Sequence, residues 1–240
     1  MSDPLRQSPE AGAFRAGAFP LFVLSVLTLF LELMLIRWVS TEIRIFSYLQ
    51  NSLLVVCFLG LGVGCWTCRQ PARLRDTLLP LLALSAAMVP VAWLGIGSQL
   101  SLMLNAFGDI LLFTRTVTES TGEAALRVVL GLVFTFVLMT LVWYAFVPLG
   151  RMLGRMLADH PRTIWAYSVN VAGSLLGVWL FVLLSALHTL PVAWASALAA
   201  LALLLGWSLD RLSRAEAALL AGVVACAALA GGERGAIDVA

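Results

Sequence analysis

A glutamate and an arginine, Glu32 and Arg37, sit inside the apolar run Leu29-Phe-Leu-Glu-Leu-Met-Leu-Ile-Arg-Trp38. A charged side chain at membrane depth costs about 2.5–3.5 kcal/mol on insertion scales, so it turns toward a partner or a wet cavity rather than lipid. A carboxylate placed there can hold a cation, or it can lock helix packing by pairing with a base. Five residues is the wrong separation for a pair on one helix, so Glu32 and Arg37 are each expected to find a partner elsewhere.

The stretch from Glu32 to Asn51 has the densest mixture of charge, amide and aromatic residues in the chain. Gln50 and Asn51 open the next apolar run and join Glu32 and Arg37 as a candidate intramembrane polar site. A second patch is Tyr167, Asn170 and Ser174, whose i, i+3, i+7 spacing puts them on one helix face. Amide and hydroxyl bonds to a neighbouring helix account for such a face, and ligand binding is the alternative.

Other chemistry is weakly supported. Cys65-x-x-Cys68 ends an apolar run beside Arg69 instead of leading from a strand into a helix, so packing is expected rather than redox exchange. His160 and His188 lie on separate segments, and no metal site is expected. Gly60-Leu-Gly-Val-Gly64 lies within an apolar run without the strand and acidic residue of a nucleotide loop. Its four-residue spacing, repeated in Gly173-Ser-Leu-Leu-Gly177, suits close helix seams in lipid. No catalytic residue and no cofactor are assigned.

The elements that must position these groups are membrane helices. Hydrophobic residues make up 61% of the 240, charged residues only 12%, and mean hydropathy is +0.98, which exceeds what a soluble domain can bury. A net charge of +2, dispersed, excludes an electrostatic nucleic-acid footprint. The four cysteines, mostly within apolar runs, read as reduced.

The pattern predicts an all-α polytopic transmembrane helical bundle of about seven spans: Phe19–Val39, Tyr48–Trp66, Thr77–Gly97, Leu126–Leu149, Trp165–His188, Val192–Leu209 and Ala215–Gly231. One interfacial or re-entrant helix is expected in Ser98–Ala125. Residues 1–18 form a polar cytoplasmic N-terminal segment, 19–231 the transmembrane domain and 232–240 a polar tail. Trp38, Trp66, Trp93, Trp143, Trp165 and Trp207 fall near run ends and predict an interfacial belt, whereas Trp179 predicts mid-span packing.

Orientation follows from arginine. A cytoplasmic amino terminus places ten arginines inside, with Arg69–Arg75 and the Arg151–Arg162 loop as anchors, against five outside.

The segments Glu32-Leu-Met-Leu-Ile-Arg37-Trp, Arg44-Ile-Phe-Ser-Tyr-Leu-Gln-Asn51, Phe58-Leu-Gly-Leu-Gly-Val-Gly64 and Ala166-Tyr-Ser-Val-Asn-Val-Ala-Gly-Ser-Leu-Leu-Gly177 resemble the membrane half of bacterial spermidine synthase-like fusion proteins. The resemblance extends over most of residues 19–231. It implies an inner-membrane module, non-catalytic by itself, that anchors or supplies substrate to a soluble aminopropyltransferase-like domain, with a polyamine or other small cation as ligand. No position here matches that domain's catalytic residues. A transporter or channel for a small cationic solute is the first alternative, and an integral-membrane enzyme the second.

Overall fold

A computed structural model describes residues 17–42, 50–89, 121–187, 189–209 and 213–232. They form seven helices: α1 (Ala18–Glu42), α2 (Gln50–Trp66), α3 (Leu74–Met88), α4 (Thr121–Ala158), α5 (Thr163–Ala186), α6 (Pro191–Ser208) and α7 (Arg214–Gly232). No strand occurs among the described residues. Windows at Ala18–Ser40, Leu132–Ala158, Thr163–Ala186 and Pro191–Ser208 are long and apolar enough to cross a membrane. The expected re-entrant helix, Trp93 and His188 lie in whole or large part outside the described residues.

Local chemistry sets the helix ends. Pro71 follows the turn that closes α2, in which Gln70 N–H donates to Thr67 O at 3.0 Å. The Asp76 carboxylate accepts from Arg73 N–H at 3.1 Å and starts α3. Ser213 and Glu216 cap α7 reciprocally: Ser213 N–H donates to Glu216 Oε2 at 2.9 Å, and Glu216 N–H to Ser213 Oγ at 3.2 Å. Pro191 begins α6, where its missing N–H would have had no helical partner.

α1 is the core helix and packs against α5, α6, α4 and α2. Two tight seams bring backbones together. On the α2–α4 seam, a side chain added at Gly60 would stand 2.8 Å from Trp143 O, and one at Gly64 would meet Val147 O and stand 2.7 Å from Gly150 Cα. On the α1–α5 seam, Gly173 and Gly177 would clash with Phe22 O at 2.7 Å and Val26 O at 2.6 Å. Gly150 and Gly154 of α4 complete the first seam against Leu61, Cys65 and Cys68. Their own four-residue spacing was the sequence signal for them.

These contacts fix direction. Residues 60 and 64 meet 143–151 in ascending order, and 173 and 177 meet 22–30 likewise, so α2 runs parallel to α4 and α1 to α5. Arg75 and Leu79 share a cleft with Ala215 and Leu219, and further along both helices Leu82 meets Gly222, so α3 runs parallel to α7.

Several expectations are corrected. α4 is 38 residues, about 57 Å at helical rise, so it outlasts a hydrocarbon core of about 30 Å and carries Arg151 and Arg155 on its final turns instead of in a loop. α3 ends at Met88, before the expected Gly97. Trp38 is 2% exposed, so it faces the core and not a belt, and Trp143 is half-buried against Gly60. Trp179 is 64% exposed instead of packed, whereas Trp66, Trp165 and Trp207 are exposed near helix ends.

Candidate functional site

The candidate polar residues do not converge on one pocket. Glu32 is buried, with 1% exposure, and neither carboxylate oxygen has a hydrogen-bond partner among the described residues. Arg37 is exposed and has no ion-pair partner among those residues. Five helical residues turn the chain by about 140°, which sends one side chain inward and the other outward. Gln50 and Asn51 are exposed on the first turn of α2.

The α5 patch divides. Ala166, Gly173 and Gly177 form the buried face of α5. Asn170 lies beside that line, Ser174 is half-buried and Tyr167 is 62% exposed. At about 100° per residue the three polar positions drift off the glycine seam in that order, so a shared face is only partly a buried face. Asn170 Oδ1 lies 2.8 Å from Ser25 Oγ, which also lies 2.8 Å from Leu21 O. One hydroxyl proton serves one acceptor, and turning the amide so that its NH₂ faces Ser25 satisfies both contacts.

The sequence reading passed over Ser25 and Thr28. Both are buried, and Thr28 Oγ1 donates to Leu24 O at 2.8 Å. Positions 25, 28 and 32 recur at helical spacing, so they form one polar stripe on the core helix and end at the unpartnered carboxyl of Glu32. The signal was available as two hydroxyls upstream of Glu32 in the same run, but hydroxyl residues satisfy themselves on the preceding turn and attract little notice.

On α2, Cys57 is buried and close enough to Glu32 for the two to interact electrostatically. Cys65 Sγ lies 3.4 Å from Gly150 O, and Cys68 lines the same α2–α4 seam. His160 Nδ1 accepts from Arg162 N–H at 3.1 Å within the α4–α5 turn. No group of three metal-ligating side chains occurs among the described residues.

The arginine-bearing helix ends meet at one end of the bundle. Arg151 Nε donates to Thr67 Oγ1 at 3.0 Å, and Arg155 donates to Arg69 O at 3.0 Å. A cavity of about 230 Å³ there is lined by Arg73, just before α3, and by residues of α3, α4, α6 and α7, among them Arg75, Met152, Leu205 and Glu216. Comparison with protein-family models, curated proteins and solved structures gave no match.

Proposed function

We propose that the chain is a seven-span module of a bacterial inner membrane, non-catalytic by itself, whose cytoplasmic face anchors a soluble aminopropyltransferase-like domain. The observation that carries this reading is the set of parallel pairs α1–α5, α2–α4 and α3–α7. Counted among the described helices, each joins helices of equal parity, as a chain that crosses a bilayer at each of them requires. The same arrangement gathers Arg69, Arg73, Arg75, Arg151, Arg155 and Arg162 at the end assigned to the cytoplasm, in keeping with the arginine bias. The hydrogen bonds from Arg151 and Arg155 make that end an ordered cationic surface on which a soluble domain can rest.

The soluble partner rests on the resemblance of residues 32–38, 44–51, 58–64 and 166–177. Co-flotation tests it. Vesicles holding the full chain should carry a spermidine synthase-type protein from the same cells to the top of a density gradient, and the Arg73→Glu, Arg75→Glu double variant should release it. Equal flotation with empty vesicles would remove the anchoring role.

A further inference from the structure

We propose that Glu32 is a proton-binding site inside the bundle, a carboxylic acid reached along the stripe of Thr28 and Ser25. An isolated ionised carboxylate in apolar surroundings is strongly disfavoured and needs a donor, a cation or a proton. Both oxygens of Glu32 are buried, and no described residue donates to either. Among the described residues, Glu32 lines neither the cavity beside α1 nor the one at the arginine end. One cavity against the adjoining α1 face, bounded by Leu27 and Leu31, measures about 10 Å³, about one water. An organic cation has no room there, and a proton needs none.

Among the described residues no base takes the proton's place. Arg37 points away on the same helix. From α2 the titratable neighbour is Cys57, and the buried residues of α4, α5 and α6 include no titratable side chain among those described. Below Glu32, Thr28 and Ser25 offer hydroxyls at successive turns, and Ser25 reaches Asn170 on α5. This gives the carboxyl a polar side toward the amino-terminal end of α1. The site binds and releases a proton from that side.

Infrared spectroscopy of the full chain in vesicles at neutral pH reads the site directly. A carboxylic acid carbonyl band should be present in the wild type and missing in Glu32→Gln. It should be unchanged in Glu216→Gln, because the Glu216 carboxylate has Ser213 N–H as donor. A membrane-soluble carbodiimide gives a second readout that needs no variant. The acid O–H adds across one C=N bond, the carboxyl oxygen bonding to the central carbon and the proton passing to nitrogen, and an acyl shift leaves a stable acylurea. Peptide mapping should place that adduct on Glu32, with water-soluble carbodiimide labelling exposed Asp76 instead. Three results would each overturn the proposal: no acid band in folded wild type, equal labelling of Glu32 by the water-soluble reagent, or thermal stabilisation by spermidine or putrescine that Glu32→Gln abolishes. The last would assign the carboxylate to an organic cation.

Discussion

Arg151 on α4 donates from Nε to Thr67 Oγ1 at 3.0 Å, joining the last turns of the longest helix to the turn that closes α2. Thr67 in turn lies 2.8 Å from Val63 O, so the contact ties a guanidinium to the end of the α2 backbone ladder. A bond to a charged group contributes about 1.5–3 kcal/mol when buried and less when half-exposed as here. A double-mutant cycle of Thr67→Val and Arg151→Gln should give a coupling of about 1 kcal/mol in detergent unfolding. Additive effects would show the two side chains to be independent.

The glycine seams make a sharper prediction. Gly64→Leu and Gly177→Leu force backbones apart at contacts that leave no space for a first carbon, an overpacking cost of about 1–3 kcal/mol or more. Gly62→Leu is the internal control, since a side chain there meets nothing within 4 Å. Melting temperatures should fall for the first two and barely move for the third. Equal shifts would contradict the α2–α4 and α1–α5 seams.

Tryptophans 38 and 179 should behave in opposite ways. Trp38→Ala removes a side chain buried in the core of α1, at a cost of about 3–5 kcal/mol, whereas Trp179→Ala trims an exposed indole. Chain-matched bromolipids should quench Trp179 in a variant that retains only that indole, and should not quench Trp38 in the corresponding variant. Strong quenching of Trp38 would place α1 at the lipid boundary.

The Ser25–Asn170 contact is expected to contribute modestly. Interhelical polar pairs in membranes average about 0.6 kcal/mol in double-mutant cycles. Ser25→Ala with Asn170→Ala should therefore couple by about that amount, and a coupling above about 2 kcal/mol would point to a larger polar network around α1 than the one described.

The helices were legible wherever an apolar run was uninterrupted, as at Phe19–Val39 inside α1 and Val192–Leu209 against α6. Their ends were not, because hydropathy stops at the membrane while a helix need not: Arg151 and Arg155 are good helix formers and α4 continues through them. Distance from a run's end said where a tryptophan sits along the membrane normal but not which way it faces. Trp38 and Trp179 therefore exchanged roles. Of the candidate site one residue was legible, Glu32, since a charge in an apolar run is conspicuous. Its companions Ser25 and Thr28 were quiet because each bonds its own preceding turn.

Topology tests the central claim most directly. In a variant with Cys57, Cys65, Cys68 and Cys226 replaced, Pro161→Cys marks the exposed turn between α4 and α5, and Leu190→Cys the exposed turn between α5 and α6. A membrane-impermeant maleimide applied to intact cells should label position 190 at once and position 161 only after permeabilisation. Labelling of position 161 from outside, or of both positions alike, would contradict a bundle that crosses the membrane at each helix with its arginine-rich end in the cytoplasm.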